Sequence, residues 1–392
     1  MTEYRYLIIG GGMTADAAVR GIRAVDAEGT LGLIGAEKDP PYDRPPLTKA
    51  LWKGKDFDSI WRGTQNESVE LHLGRKVAQI DPQAGTVTDQ RGTEYSYEKL
   101  LLATGGTPRR LPFGGDSVIY YRRVEDYRRL QVLAQSEATF AVIGGGFIGS
   151  EVAAALAMNE REVTMVFPEA GVGARQFPAD LSAFLNQYYE EHGVTVVPGA
   201  TVEAIEGEHG HVHVVTDGGV LHVDAVVAGI GVQPNAELAE AAGLEVEDGV
   251  VVHPTLQTSD PNIYAAGDVA RFYNPALDRK MRVEHEDNAN TMGEMAGRSM
   301  AGEEISYDHL PYFYSDLFEL GYEAVGDLDP ELETVEHWDE PFKKGLVYYL
   351  KDGRVRGVLL WDVWGKVDEA RALIAEPGPF TDSELKGRIT AD

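Results

Sequence analysis

Two glycine-rich turns and two cations are the residues of this sequence whose types and spacing could do chemistry. Gly10-Gly11-Gly12-Met13-Thr14-Ala15 and Gly144-Gly145-Gly146-Phe147-Ile148-Gly149 each follow a short apolar run and open a run of small residues. In such a turn the first glycine makes the tight bend and the second lets the backbone approach a pyrophosphate. The last small residue permits close helix–strand packing, and the helix N-terminus favours the negative charge. Between the two turns lies segment 41–52, PYDRPPLTKALW, whose prolines restrict the backbone and which carries Arg44 and Lys49. Arg44 is read as meeting a pyrophosphate and Lys49 as lying beside a flavin ring. The alternative is a proline-rich surface loop with two solvated cations.

The flanking pattern supplies the elements that must position these groups. A strand is expected at 4–9, a helix from Ala15 to about Val25, and a strand at 30–35 that ends near Glu37, where an acid can grip a ribose hydroxyl. A strand at 100–103 breaks into Ala103-Thr104-Gly105-Gly106-Thr107-Pro108, a place for backbone to meet a ligand or for the chain to leave a domain. A helix is expected at 124–135. The pattern then restarts with a strand at 140–143, an alanine-rich helix at 150–158 and a strand at 163–167. Phe167 stands where the second ribose acid is expected, so Glu169 takes that role. Arg175 is the one nearby cation, which favours NADH over NADPH.

Residues 201–228 alternate apolar and polar around Asp217-Gly218-Gly219, a hairpin turn. His209, His211 and His213 fall on one face with His222 across the turn. Period-2 spacing is compatible with a metal, but a solvent-facing hairpin is the preferred reading, and no metal is expected. A strand at 225–230 leaves through Gly231. Within 258–268 a strand feeds Gly267-Asp268 at a helix start, where Asp268 either accepts hydrogen bonds from a sugar-alcohol chain or is a plain N-cap. A helix at 284–302 presents Ala289, Gly293 and Ala296. The segment 307–392 reads as a small α+β domain with strands at 322–326, 346–350 and 355–361 and a helix at 366–375.

Two dinucleotide turns imply two dinucleotides, and the simplest chemical reason for a pair is a hydride passing from a nicotinamide to a flavin. The 392 residues, 43% hydrophobic, can bury the cores of two or three domains. No apolar run approaches the length of a membrane span, and the chain runs from Met1 straight into a strand, so a cytoplasmic location is expected. The absence of cysteine excludes disulfide relays, thiolate metal sites and cysteine-based peroxidase chemistry. A net charge of −29 speaks against a nucleic-acid partner and fits a salt-rich cytosol as well as an ordinary acidic protein.

The motifs together carry a likeness. Segment 41–52, LLATGGTPR (101–109), GGGFIGSE (144–151), FPE (167–169) and TSDPNIYAAGD (258–268) resemble the flavoprotein pyridine-nucleotide reductases, in the branch joining oxygenase-coupled ferredoxin reductases to apoptosis-inducing factor. YSDLFELGYEAVGD (314–327) and GVLLWDVWGKVDEARALI (357–374) look closer to apoptosis-inducing factor, without its long inserted loop. The resemblance implies an α/β fold with two Rossmann-like domains, FAD-binding (1–112 and 236–306) and NADH-binding (113–235), and an α+β C-terminal domain (307–392). It implies that Gly10, Gly12, Ala15, Glu37, Arg44, Ala103, Thr104, Gly105, Gly267 and Asp268 hold FAD, with Glu284, His285, Glu286 and Tyr314 bordering the flavin or nicotinamide. Gly144, Gly146, Gly149, Glu169 and Gly231 line the NADH site. Lys49 lies near flavin N5 paired with Glu151, and Phe147 covers the ring. Glu286 and Tyr314 depart from the branch's usual tryptophan or histidine, which leaves the electron acceptor open. The implied activity is NADH oxidation through FAD, with electrons going to a ferredoxin-like protein, a quinone or another small molecule. The alternative is a slowly turning NADH sensor that forms a long-lived charge-transfer complex, as a monomer or an NADH-dependent dimer.

Overall fold

The computed structural model describes residues 2–136, 139–208 and 210–390; His209 lies outside them. The chain divides into two compact units. One comprises the chain up to Arg44, Asp58–Thr107 and Gln233–Pro311, and the other Pro45–Phe57, Pro108–Val232 and the chain from Tyr312.

The first unit is built on a seven-stranded sheet. Its parallel part runs Glu70–Leu73, Leu31–Gly35, Thr2–Ile9, Glu94–Leu102, and Ile263–Ala265 also pairs with the last of these. The apolar runs become its central strands because both faces are covered: Leu7, Ile8, Leu33, Leu100 and Leu101 are all completely buried. The helices Met13–Val25 and Glu286–Met300 lie backbone against backbone. A Cβ added at Gly297 would stand 2.2 Å from the Ala18 carbonyl oxygen, and one at Gly293 would stand 2.4 Å from that of Thr14.

Asp16, in the first turn of Met13–Val25, is fully buried and receives Thr64 Oγ1 at 2.6 Å, Arg62 Nε at 2.7 Å and Arg20 Nε at 3.1 Å. Burial works against its charge, yet these hydrogen bonds hold its pKa below the usual carboxylate value. Arg62 continues to Asp43 at 2.6 Å and Asn290 at 3.0 Å, so one network ties the first helix to the residues before Arg44 and to the last helix of the unit.

The second unit has a five-stranded parallel sheet ordered Val194–Pro198, Glu162–Phe167, Thr139–Ile143, Ala225–Ala228, Val118–Tyr120. A three-stranded antiparallel ribbon spans Val202–Val223, and the five strands from Tyr312 to Trp361 form a further antiparallel sheet packed by helix Val367–Ala375.

Several elements depart from the expected pattern. The fingerprint helices begin at Met13 and Phe147, not at Ala15 and Ser150, because Gly12 and Gly146 are themselves their N-caps. The last helix of the first unit begins at Glu286, which leaves Glu284 before it and His285 as its N-cap. Gly267–Val269 is a three-residue 3-10 turn and not the start of an α-helix, since the chain goes straight into strand Ala270–Asn274. The C-terminal sheet has five strands where the sequence pattern gave three. Tyr312–Leu317 and Glu333–Glu340 are edge strands, half-buried and mixed in polarity, so their alternation is weak.

The contact at Gly297 yields a prediction. Gly297→Ala forces a methyl group into a backbone carbonyl, and overpacking of this kind costs about 1–3 kcal/mol. Chemical denaturation of the variant is expected to show a lower midpoint at unchanged slope, whereas an unaltered midpoint would contradict the packing described.

Candidate active site

In the first unit the fingerprint glycines divide into those that touch protein and those that do not. Gly10 has a left-handed φ of +137°, and a Cβ there would stand 2.0 Å from the Ala103 carbonyl oxygen. The nearest atom to a Cβ on Gly12 is Arg44 Nη2 at 3.8 Å, so the space above this helix N-terminus is open beside a cation. Arg44 Nη2 donates to Glu37 Oε1 at 2.7 Å, Arg44 Nη1 to the Tyr42 hydroxyl at 3.1 Å, and that hydroxyl to Glu37 Oε2 at 2.7 Å. The expected ribose acid and phosphate cation thus form a closed triangle with Tyr42, which the sequence reading did not single out. Burial disfavours the Arg44 charge, but Tyr42 and Glu37 hold its pKa above the ordinary arginine value.

Ala103 is buried, the Thr104 hydroxyl donates to the Asn235 carbonyl at 2.8 Å, and Gly105 accepts from the Asn235 amide at 2.9 Å. Gly267 stands against Thr14, where an added Cβ would approach Oγ1 to 2.3 Å. The field of Asp268 reaches both Arg44 and His285, so these three belong to one neighbourhood. Burial pushes the His285 imidazole down to about 4, against the upward pull of Asp268 and Asp287. Glu284 is exposed and accepts from Arg282 Nη1 at 2.6 Å. Glu286 is the first residue of its helix.

The second unit repeats the arrangement. A Cβ on Gly144 would stand 2.4 Å from the Gly229 carbonyl oxygen, one on Gly149 would stand 1.9 Å from that of Gly144, and one on Gly146 would meet nothing within 4 Å. Glu169 follows strand Glu162–Phe167 and is ion-paired with Arg175. Gly231 follows strand Ala225–Ala228 and accepts from the Arg109 amide at 2.9 Å. In both units, then, only the second glycine borders open space, and it does so at the N-terminus of a long helix. These residues fit two dinucleotides.

The unit's most concentrated chemistry is a buried carboxylate. Glu151, on helix Phe147–Met158, accepts Lys49 Nζ at 2.5 Å and Ser315 Oγ at 2.6 Å on Oε1, and Thr48 Oγ1 at 2.5 Å on Oε2. The Lys49 and Glu151 side chains are only 10% and 5% exposed. Lys49 lies between the short turns Pro45–Leu47 and Ala50–Lys53, and the Leu47 carbonyl is held by the Tyr121 hydroxyl at 2.6 Å and by Trp52 Nε1 at 2.8 Å. Lys49 Nζ stands 5.2 Å from the centre of the Tyr314 ring, and Phe147 meets Phe313 edge-on at 5.1 Å. Lys49, Glu151 and Tyr314 therefore converge. Thr48, Ser315 and Tyr121 went unassigned in the sequence reading. Thr48 lies inside segment 41–52 and Ser315 inside segment 314–327, but no spacing rule marks a hydroxyl donor.

His213 and His222 lie opposite each other on the ribbon with ring centres 4.6 Å apart, both exposed. Among the described residues, no three His, Cys, Asp or Glu are grouped to hold a metal ion.

Two measurements check this account. Lys49→Ala strands a buried carboxylate, and removing one partner of such a pair costs roughly 3–5 kcal/mol. The paired substitution Lys49→Met with Glu151→Met is expected to recover much of that loss in denaturation experiments. His285 bears on pH. Its folded pKa of about 4 lies below its ordinary 6.5, so the stability it contributes is complete above pH 6.5 and is lost as pH falls toward 4. His285→Gln is expected to flatten the fall in melting temperature across that window; equal slopes in both proteins would refute it.

Comparison with known proteins follows the same lines. The pyridine nucleotide-disulphide oxidoreductase family matches residues 4–293, and the C-terminal region of mitochondrion-associated apoptosis-inducing factor matches 296–341 and 336–376. The chain is 35% identical to apoptosis-inducing factor 1 of Dictyostelium discoideum, across 100% of this chain and 82% of the relative. It is also 35% identical to the ferredoxin–NAD(+) reductase component of the anthranilate 1,2-dioxygenase system of Burkholderia cepacia, across 96% and 95%. The reductase in the covalent putidaredoxin reductase–putidaredoxin crystal structure superposes with a TM-score of 0.90 at 31% identity, covering 98% of this chain and 95% of that one. Among the described residues, no helix is long and apolar enough to cross a membrane. With two glycine turns that fit dinucleotides and matches over almost its whole length, the chain belongs to the pyridine nucleotide-disulphide oxidoreductase family, in the branch of the ferredoxin reductases and apoptosis-inducing factor, and is an NAD(P)H-dependent FAD oxidoreductase.

Proposed function

We propose that this protein oxidises NADH through FAD and delivers the electrons one at a time to a small ferredoxin-type protein. The observation that carries the reading is the buried Lys49–Glu151 pair, an ionic group set beside one dinucleotide turn where a structural role alone would not require charge. When bound, NADH supplies a hydride, and FAD accepts it at N5 and parts with its electrons singly. The chain's own residues provide the setting. Gly10, Gly12 and Ala15 form the FAD turn, with Glu37 for the ribose, Arg44 for the pyrophosphate and Asp268 for the sugar-alcohol chain. Ala103, Thr104, Gly105 and Gly267 lend backbone, and Glu284, His285 and Glu286 border the ring system. Gly144, Gly146, Gly149, Glu169 and Gly231 take NADH, and Phe147 shields the reacting face. Lys49 places a positive charge where the reduced flavin is electron-rich, and Glu151 keeps that charge in place. In this reading, 1–112 with 236–306 bind FAD, 113–235 bind NADH, and 307–392 form the third domain.

The acceptor follows from two considerations. With no cysteine in the sequence, a thiol relay is unavailable, so the electrons must leave directly from the flavin. Relatives named as ferredoxin–NAD(+) reductase and putidaredoxin reductase support a ferredoxin-type partner over a quinone. A second reading, an NADH-responsive protein of slow turnover, is favoured by the matched C-terminal region of apoptosis-inducing factor and by the Dictyostelium relative that spans the entire chain.

An anaerobic NADH titration of the FAD-loaded protein separates the two. Fast bleaching of the flavin, with recovery on adding a [2Fe–2S] ferredoxin, is the expected outcome. Slow bleaching, with a long-wavelength band that persists in air, would give the second reading the field. NADPH is expected to bleach the flavin more slowly than NADH, and Glu169→Ala is expected to narrow that difference.

A further inference from the structure

The hydroxyls around Glu151 are placed in a way that the ion pair alone does not require. Thr48 and Ser315 are 6% and 0% exposed, come from segments 267 positions apart in the chain, and donate at 2.5 Å and 2.6 Å to different oxygens of one carboxylate. Thr48 immediately precedes Lys49, and Ser315 immediately follows Tyr314, whose ring stands 5.2 Å from Lys49 Nζ. The two residues thus grip the carboxylate from the same two segments that flank the ammonium.

We propose that Thr48 and Ser315 are positioning residues for flavin reduction: by donating to Glu151 from two separate segments they fix its carboxylate and, through it, the Lys49 ammonium. The proposal rests on the role given above to Lys49 and concerns residues that act only through it. A carboxylate bonded by lysine alone could rotate about its last torsion and carry the ammonium with it. Two hydroxyls bound to opposite oxygens remove that freedom. They also spread the compensation of the negative charge, so that a carboxylate stripped of either donor takes up a proton more readily and releases the lysine.

Two further ionisable side chains feel the charge of Glu151: Tyr189, whose hydroxyl donates to the Ser150 carbonyl at 3.0 Å, and Tyr322, which lies opposite Ser315 in the sheet. Burial, foremost, pushes both phenols well above their ordinary range, so neither changes charge between pH 5 and 9.

The test uses FAD-loaded protein carrying Ser315→Ala, Thr48→Val or the hydroxyl-preserving Thr48→Ser, with Lys49→Ala as reference. Anaerobic stopped-flow reduction by NADH is followed from pH 5 to 9, and the midpoint potential of the bound flavin is measured at pH 6 and pH 9. Loss of a hydrogen bond to a charged group is expected to move the acid limb of the rate profile upward by about one pH unit in Ser315→Ala and Thr48→Val. Both variants are also expected to raise the midpoint potential at pH 6, where an uncompensated ammonium favours the electron-rich ring, and to leave it unchanged at pH 9. Thr48→Ser is expected to follow the parent protein. Thr48→Val is nearly isosteric, so it keeps the test open even if Ser315→Ala folds poorly. If Lys49→Ala slows reduction while the profile and potential of the hydroxyl variants match the parent's, the present proposal falls and the role of Lys49 stands. If Lys49→Ala reduces at the parent rate, both fall.

Discussion

A carboxylate taken out of water must be compensated where it stands, and this constraint shapes the second unit more than any other. Glu151 is buried on the helix that the second glycine turn begins, and it is satisfied by donors from residues 48–49 and from Ser315. The short stretch Pro45–Phe57 belongs to this compact unit although it lies far from it in sequence. Desolvating an ion pair costs several kcal/mol per ion before attraction and hydrogen bonds offset it. Apolar pairs of similar volume often replace such ion pairs with little loss of stability. In the role proposed above, the charges serve the redox chemistry and the hydroxyls serve the charges.

The two glycine turns show one steric solution used twice with different details. In each, the first glycine meets a carbonyl of a neighbouring strand end, Ala103 in one and Gly229 in the other, and only the second faces open space. Their last positions differ: Ala15 suffices in the first turn, whereas Gly149 lies so close to the Gly144 carbonyl that no side chain fits. The acids differ as well. Glu37 is locked by Arg44 and Tyr42 into a triangle, while Glu169 pairs with Arg175, whose side chain is 76% exposed. The first acid is thus bound on both of its oxygens, and the second is tied to a side chain that is itself mostly in solvent.

The parts of this arrangement legible in the sequence were those set by short-range geometry. Strand, glycine turn, helix and acid follow one another within about thirty residues, and each link constrains the next. The Lys49–Glu151 pair was reached only through family resemblance, because no local rule joins residues a hundred positions apart. Thr48 and Ser315 were missed for the same reason: a hydroxyl becomes a carboxylate donor through tertiary placement alone. Asp268 was read as opening a helix because Gly-Asp after a strand often does. The demand that the chain enter strand Ala270–Asn274 at once overrode that local preference. The buried Asp16–Arg62 network was likewise invisible, since Asp16 reads simply as the polar residue of a first helical turn.

The family takes its name from disulphide chemistry, yet this sequence contains no cysteine. Where a disulfide is present, it can take two electrons from the reduced flavin in a covalent step and hold them as a dithiol. Without one, the reduced ring must itself store the electrons until an acceptor arrives, and its stability has to come from electrostatics. A fixed positive charge supplies that stability, but a mobile one would supply it unevenly and make the potential drift with each fluctuation of the side chain. Lys49 is long and flexible by nature, with a rotamer entropy that a single carboxylate contact holds only in part. In the role proposed above for Lys49, the two hydroxyls that join the ammonium on Glu151 turn that flexible cation into a fixed one.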